Sequence, residues 1–547
     1  LKFEAEYASE VLDIIPFGYI NKKVCGVGLT SVALENDVHT IVAVPSVELI
    51  RNKVAQYPND RSQKTVFGVY GGVSVEDVND YVASTDVIKI MCTYDSLWKV
   101  QYLLDSCHLI IDESNKLLSS SALKSSSKGS SKGVDVTTRV FDIAEKFKDT
   151  VTFISATPTP LEYMPKWVSE IEQIDMEWGN TIKAKPILVE RTYPYKALVV
   201  EVLRPLNMMD SITMGNVEIK KVIVFMNSVE SIVKSINEAQ LKKEDVAIIA
   251  GDSVENDVKI KGYNRLSNPN KLPKYTFVTS SGFEGIDLSD KEAISIVVSN
   301  TSKSYQMIDI LTDLKQAISR QRDKKNPNYD KFVYIYSQSI FSKSKEELLK
   351  ELDDRYESLS QAIYLWEVAK RDGKRSGFSY TETNKDFITY TNYDEVNETY
   401  TLNTNLFQSD KYFILTVREQ YSKGFDLKGG YTEYDVIESP EVIAAITYEE
   451  MVEMYKSNKE SIEDYSYKVE YYSNEYKRVF LTVRNRFIEG EQYSVAEVKD
   501  KLQVVYKEFG LSRKAKSTDL QEFMVVKETK SNGNRFVTVV TKDKTIK

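Results

Sequence analysis

Two adjacent carboxylates close an apolar run in this sequence, Leu109-Ile110-Ile111-Asp112-Glu113. In a parallel sheet such a run is a buried strand, and ligands bind beyond its carboxyl end. There Asp112 would hold the Mg²⁺ of a nucleotide through water, and Glu113 would polarise the water that attacks the γ-phosphate. A second apolar run, Val151 to Ser155, ends in the hydroxyls of Ser155 and Thr157. Ahead of both lies a glycine-rich stretch, Asn21 to Leu34, with Gly26, Gly28 and Thr30. Backbone N–H groups of such a loop at a helix N-terminus can cradle phosphates, and Thr30 would reach the same Mg²⁺ as Asp112. Where phosphate loops carry a lysine before the threonine, this chain has Leu29. The ammonium for the β- and γ-phosphates would then come from Lys22 or Lys23, folded back over the loop. Phe17 and Tyr19 are candidates either for stacking on adenine or for the core.

Composition narrows the classes. A chain of 547 residues is too long for one core, so three or four domains are expected. No apolar run approaches the roughly 20 residues that span a bilayer. No basic-then-apolar secretory start is visible, and Leu1 in place of Met fits a processed or trimmed start. Cys25, Cys92 and Cys107 have no close-paired spacing, which argues against a zinc ribbon or a disulfide scaffold and fits a reducing compartment. With His39 and His108 the only histidines, histidine-based catalysis or metal binding has little to draw on. The net charge of −9 excludes nucleic-acid binding by bulk charge. Residues 477–547, however, hold sixteen Lys/Arg against nine Asp/Glu, a local basic surface on an acidic chain.

The elements that must position these groups alternate. Strands are expected at 40–45, 66–72, 88–94, 108–112 and 151–157, with helices at 46–57 and 139–149, which predicts a parallel sheet covered on both faces. A Ser/Gly/Lys low-complexity loop, 119–133, interrupts the series. A second α/β series begins near 218, with strands at 220–227, 245–252, 275–288, 293–300 and 331–338. Residues 344–371 read as one long helix with Leu348, Leu352, Leu359, Ile363 and Trp366 on its packed face. The Tyr-rich stretch 372–470 gives no clear fold. At the end, helices at 475–487, 494–510 (Ser494/Glu497 capping box, closing Gly510) and 512–524 precede a hairpin around Asn532-Gly533. Three helices and a two-stranded wing make a winged-helix pattern.

Taken together, residues 10–340 resemble the superfamily 2 helicases, and more closely the divergent phage and viral members than the cellular DEAD-box proteins. The stretch at 42–50 resembles the first DNA-contact motif, with Pro45 and Ser46. Gly71 and Gly72 in "YGGV" and Thr93 in "TYDSL" occupy the next two. "DESN" (112–115) resembles the Asp-Glu box, with Asn115 where His or Asp is usual, and "SAT" (155–157) the coupling motif. Residues 222–231 resemble motif IV. "TSSGFEGIDL" (279–288) resembles motif V, with Thr279 on nucleic acid and Gly285 and Asp287 at the nucleotide. "QAISRQRD" (316–323) resembles motif VI. There Ser319 replaces a glycine and Arg322 sits one position early, leaving Gln316, Arg320 and Arg322 as the phosphate-facing set.

The resemblance implies an α/β chain of two tandem RecA-like parallel-sheet lobes, 1–160 and 218–342, joined by a bridge at 161–217. A helical and Tyr-rich region, 343–470, and a basic winged-helix-like domain, 471–547, would follow. It implies an ATP- and Mg²⁺-dependent helicase or translocase acting on single- or double-stranded DNA, with RNA left open. ATP would sit between the lobes, and phage-type replication or recombination, beside replication proteins, would be the setting. Location in the cytoplasm, of an infected host if phage-encoded, follows from the same likeness. Phosphate contacts of the basic domain would be Lys514, Lys516, Lys530 and Arg535. Two rivals stand beside this reading. Leu29 favours a non-hydrolysing nucleic-acid scaffold, and a motor subunit of a restriction or packaging complex would need a partner nuclease. Oligomeric state, polarity and substrate shape are not written in the sequence.

Overall fold

The computed structural model describes residues 1–57, 65–121, 124–125, 133–179, 184–214, 217–251, 253–266, 270–284, 286–373, 384–423, 476–531 and 534–542. The chain divides into two units, Leu1–Thr181 with Phe341–Glu419, and Ile182–Ile340 with Gln420–Lys547.

The first unit is built on seven parallel strands. In chain order they are β1 (Gly18–Asn21), β2 (Thr40–Val44), β3 (Phe67–Val69), β4 (Lys89–Thr93), β5 (His108–Asp112), β6 (Val151–Ser155) and β7 (Gln173–Asp175). Their order across the sheet is β7-β1-β6-β5-β2-β4-β3. Central strands β2, β5 and β6 are buried at every position, which is why they read as unbroken apolar runs rather than alternating ones. Helices α1 (Leu29–Glu35) and α2 (Val47–Gln56) cover one face of this sheet, where Leu29, Val32, Leu49 and Ile50 join Val42 and Ile110 in one apolar cluster. α3 (Val75–Ala83) and α5 (Val136–Glu145) bury Val78, Val140 and Phe141 with the opposite set of strand residues. Between β5 and α5 lies the single turn α4 (Leu117–Ser120).

The second unit repeats the plan with β8 (Lys185–Glu190), β9 (Lys221–Phe225), β10 (Val246–Ile249), β11 (Asn264–Arg265), β12 (Tyr275–Val278), β13 (Ala293–Ser299) and β14 (Lys331–Tyr336). These too are all parallel, in the order β8-β14-β13-β9-β12-β10-β11. Helices α6 (Val229–Glu238), α7 (Val254–Lys259) and α8 (Asp313–Ile318) connect them. The chain thus contains two RecA-like parallel-sheet lobes. The stretch between them is shared out, since β7 closes the edge of the first sheet beside β1 and β8 closes the edge of the second beside β14.

Residues 341–419 pack with the first lobe. The long helix is present as α9 (Lys345–Arg371), capped by Ser344 and Glu347, and it buries Leu352, Leu359, Ala362 and Trp366. Against it sit α10 (Lys385–Tyr390), the hairpin β15 (Thr391–Asp394) and β16 (Thr399–Leu402), and α11 (Thr404–Tyr412). Tyr400 is buried there, edge-on to Trp366 and Phe387. The module grips both ends of the Ser-rich loop, through Asn403 Nδ2 on the Ser121 carbonyl and Tyr393 N on the Gly133 carbonyl.

The C-terminal part of the second unit runs from a helix over 476–485 through β17 (Gln492–Ser494), α12 (Val495–Glu508), a short 3-10 turn (Ser517–Glu522), β18 (Val525–Ser531) and β19 (Asn534–Thr541). Its antiparallel sheet has the order β17-β19-β18. The turn residues Asn532 and Gly533 lie outside the described residues, although β18 and β19 pair up to Ser531 and Asn534. The basic helix expected over 512–524 is not formed as one. Only 517–522 coils, because Asp519, Leu520 and Phe523 are drawn into the core while Arg513 turns toward Asp257 and Asp519. Val254 and Val258 of α7 belong to the same apolar cluster as Val483, Leu502 and Leu520. Glu522 Oε2 also accepts the Val254 amide at 2.9 Å.

Candidate nucleotide site and nucleic-acid face

The glycine-rich loop follows β1 and delivers the chain into α1. Gly26 and Gly28 hold φ values of 82° and 85°, the left-handed region where a side chain is strained. A Cβ built on Gly28 would meet nothing within 4 Å, so the loop's outer side is open to a phosphate. Leu29 is 2 % exposed and packs among the α1 and sheet residues. Its side chain serves the core, which leaves the charge of the site to another residue.

Lys22 brings a cation to the two carboxylates. The Ser155 carbonyl accepts its amide at 2.8 Å and its own carbonyl accepts Trp178 Nε1 at 3.0 Å, so the backbone is fixed from two sides. Its side chain is buried, with Nζ 3.2 Å from Glu113 Oε1 and 3.6 Å from Asp112 Oδ1. Burial alone would favour the neutral amine. The two carboxylates outweigh that and hold the ammonium above the ordinary lysine range. Lys23 behaves differently. It takes a left-handed φ of 53° and points its half-exposed ammonium to Asp175 and Glu177, at 3.7 and 3.9 Å.

Thr30 Oγ1 donates to Asp112 Oδ2 at 2.6 Å, which joins the first turn of α1 to the carboxyl end of β5. A hydroxyl and one carboxylate fit Mg²⁺, a cation usually held by one or two protein oxygens with water and phosphate supplying the rest. Among the described residues no cluster of three or more His, Cys, Asp and Glu could hold a metal by itself. Glu113, 8 % exposed, is also left-handed at φ 53° and ψ 46°. Asn115 accepts the Ser155 hydroxyl at 2.8 Å, and the Thr157 amide donates to that same hydroxyl at 3.0 Å. The Asp-Glu and Ser-Ala-Thr strings, 40 residues apart in sequence, are therefore one hydrogen-bonded unit across β5 and β6.

Tyr19 falls to the core, whereas Phe17 is 46 % exposed. Tyr19 is buried, with its hydroxyl donating to the Thr159 carbonyl. Phe17 lies at the amino end of β1, edge-on to His108, away from the loop at that strand's carboxyl end.

Pro45, Ser46, Gly71, Gly72 and Thr93 come together at the carboxyl ends of β2, β3 and β4, which are neighbours in the sheet. Ser46 caps α2, and both glycines are exposed with open space where side chains would be. Lys99 Nζ fastens their turn by donating to the Tyr70 and Val73 carbonyls at 3.1 and 2.9 Å.

In the second lobe, Arg322 Nε donates to Asp287 Oδ1 at 2.7 Å, and Arg320 Nη1 is 3.9 Å from the same atom. Arg320 is also held by the carbonyl and side chain of Gln316. The backbone pairs alongside, Leu288 N to Arg320 O and Arg322 N to Leu288 O, so segments 286–288 and 316–322 form one assembly. Gly285 lies outside the described residues. Thr279 is buried, and its hydroxyl contacts Ser281 and the Ile249 carbonyl. In the C-terminal part Lys514 is exposed, while Lys516 and Arg535 are half-buried. Lys530 and Arg535 are opposite each other in the hairpin register.

The sequence reading passed over Tyr94. Its phenol donates to the Asp112 carbonyl at 2.6 Å and lies 3.0 Å from the Glu113 carbonyl. The available signal was a hydroxyl-bearing aromatic directly after a buried strand, at the same sheet end as the Asp-Glu pair.

No family model matches the sequence, and no curated protein matches it. Solved structures with a related course of chain include S. cerevisiae Dbp5 bound to RNA and ADP BeF3, with 14% identity and TM-score 0.38 over 60% of this chain and 80% of that one. Mss116p bound to ssRNA and AMP-PNP gives 11% identity and TM-score 0.40 over 68% and 82%. T. fusca Cas3 with AMPPNP gives 9% identity and TM-score 0.35 over 60% and 45%. The fold itself rests on the strand order and the all-parallel pairing of the two sheets.

Proposed function

We propose that this chain is an ATP-driven nucleic-acid motor, a helicase or translocase of the superfamily 2 kind. The observation that carries the reading is the constellation Lys22–Glu113–Asp112–Thr30 around an open glycine loop. A buried ammonium, two carboxylates and a helix-terminal hydroxyl suit a triphosphate and its Mg²⁺. They have no obvious use in a sheet end that binds nothing. Mg²⁺, held by Thr30 and Asp112, would neutralise charge on the β- and γ-phosphates. Lys22 exchanges its carboxylate partners for the phosphates when nucleotide binds, which releases Glu113 to orient the attacking water. In the second lobe Gln316 and Asp287 hold Arg320 and Arg322, the planar cations that the motif VI resemblance assigns to the transferring phosphoryl group.

The burial of Leu29 favours the rival scaffold reading, in which nucleotide is bound and not hydrolysed. The position of Lys22 argues for hydrolysis, because it restores the charge that Leu29 lacks. Nucleic acid would lie on Pro45, Ser46, Gly71, Gly72 and Thr93. The order helix–strand–helix–turn–hairpin over 476–542 supports a winged helix, with Lys514, Lys516, Lys530 and Arg535 as phosphate contacts. DNA in phage-type replication or recombination is the preferred substrate and setting in this reading. The decisive experiment is ATP turnover with and without single- and double-stranded DNA and single-stranded RNA. The parent should hydrolyse ATP faster with nucleic acid. Glu113→Gln should keep nucleotide binding and lose turnover by about a hundredfold or more, since water activation and not affinity is removed. Turnover in Glu113→Gln equal to the parent would reject the site.

A further inference from the structure

We propose that Tyr94 is a positioning residue that couples the nucleic-acid face to Glu113, so that a strand bound at the carboxyl ends of β3 and β4 sets the geometry of the water-activating carboxylate. The proposal rests on the reading above, in which Glu113 activates water and residues around Gly71, Gly72 and Thr93 meet nucleic acid.

The geometry is specific. Tyr94 is 3 % exposed and opens the 3-10 turn Tyr94–Lys99 that follows β4. Its ring is fixed in the core with Leu97, Ile111 and Val140. The side chain reaches past β2, which separates β4 from β5, to the two carbonyls that flank the Glu113 backbone. The Asp112 carbonyl belongs to the peptide plane before Glu113 and the Glu113 carbonyl to the plane after it. One phenol thus addresses both planes whose rotation defines φ and ψ of Glu113. Those angles are the left-handed 53° and 46°, disfavoured for a residue with a Cβ and kept only where the surroundings over-determine them. Further ties are made by the Lys116 amide to the Glu113 carbonyl, by the Glu113 amide to Asp112 Oδ1 and by Lys22 to the carboxylate.

At its other end the same turn carries Lys99, whose ammonium holds the Tyr70 and Val73 carbonyls around Gly71 and Gly72. A continuous chain of contacts runs from the exposed glycine turn through Lys99, the six-residue 3-10 turn and Tyr94 to the strained peptide at Glu113. A phosphate that shifts the glycine turn or Thr93 pulls on that chain.

ATP turnover of the parent and of Tyr94→Phe is measured alone and with an oligo(dT), an oligo(U) and a DNA duplex. Loss of one hydrogen bond to a strained site should lower the ratio of stimulated to basal turnover by about tenfold, with KM for ATP within about twofold of the parent. An unchanged ratio overturns the proposal, including the case in which basal and stimulated turnover fall together, as a merely structural role requires. If no nucleic acid stimulates the parent, the motor reading fails and the proposal falls with it. A parent that is stimulated while Tyr94→Phe is stimulated equally sinks only the Tyr94 step. Hydrogen exchange on the parent gives a measure that needs no variant. Adding the stimulating oligonucleotide without ATP should change protection of the amides at 113–116, and no change there counts against the coupling.

Discussion

Lys22 and Lys23 are neighbours, yet the fold gives them opposite fates, and that difference is measurable. Lys22 is locked by the Ser155 carbonyl and Trp178 with its ammonium on Glu113 and Asp112, whereas Lys23 pairs outward with Asp175 and Glu177. Lys22→Ala should therefore weaken ATP binding or turnover by about tenfold or more, because it removes the phosphate charge and leaves two carboxylates facing each other. Lys23→Ala should change either by less than about twofold. Nucleotide titration and steady-state kinetics on the two variants decide it, and two unaffected variants would remove Lys22 from the site. His108 offers a second test at this scale. Thr152 Oγ1 donates its proton to the Pro16 carbonyl, so His108 Nε2, 2.7 Å from that oxygen, must be the donor, which selects the neutral Nε2–H tautomer. Burial, with help from the Lys89 ammonium, pushes the imidazole pKa down to about 4. The unfolded chain binds a proton near 6.5 while the folded chain resists it, so this stability is full above 6.5 and is lost as pH falls toward 4. From pH 7 to pH 5 the loss should be about 2 kcal/mol. Urea unfolding at the two pH values should show the drop in the parent and a smaller one in His108→Gln.

At the scale of elements, legibility followed burial. β2, β5 and β6 are buried at every position, and their apolar runs stood out unaided. The Ser494/Glu497 capping box marks a helix start as its spacing implies, and Ser344 and Glu347 cap α9 in the same way. Long-range partners were harder to see. In the described part of the Tyr-rich segment, 384–423, α10, the β15–β16 hairpin and α11 gain their apolar faces from α9 and from one another rather than from local periodicity, and 424–470 lie outside the described residues. The basic stretch 512–524 looked helical from its charges, but Arg513 has two carboxylates to satisfy, Asp257 from α7 and Asp519 from its own turn. Tyr94 was invisible as a functional group because what it contacts is backbone, which no residue type announces. The Asp519 carboxylate is a good place to test this part of the fold. It accepts Tyr506 Oη at 3.0 Å, the Lys516 amide at 2.9 Å and Arg513 Nη2 at 3.0 Å, all in a buried setting. Asp519→Ala would leave those donors in the interior without their acceptor, which should cost about 3 kcal/mol of stability, measured by chemical unfolding. A loss under about 1 kcal/mol would mean that the network relaxes onto water.

For the whole molecule, sequence order and spatial order part company. The chain leaves the second unit after β14, builds 341–419 onto the first, and returns so that the Ser339 amide meets the Tyr421 carbonyl and the Lys423 amide meets the Ser339 carbonyl. Charge is distributed unevenly along it as well, with sixteen Lys/Arg against nine Asp/Glu in 477–547 of a chain whose net charge is −9. That asymmetry suggests a nucleic-acid role for the C-terminal part, but the packing decides how to test it. Deleting 477–547 would strip Val254 and Val258 of their apolar partners and remove the Glu522 carboxylate from the start of α7. Loss of activity in such a deletion would report damage to the second lobe. Charge removal is cleaner: Lys514 is exposed, and Lys530 and Arg535 are opposite each other in the hairpin register. Each phosphate contact releases condensed counterions, so the logarithm of duplex affinity falls with the logarithm of salt by about 0.9 per contact. The triple variant Lys514→Ala, Lys530→Ala, Arg535→Ala should keep its thermal unfolding curve, bind duplex DNA at least about tenfold more weakly in low salt, and lose about two to three from that slope. Binding with the parent's affinity and the parent's slope would mean that these cations do not meet phosphate, and the basic surface would then be better read as a docking site for an acidic protein.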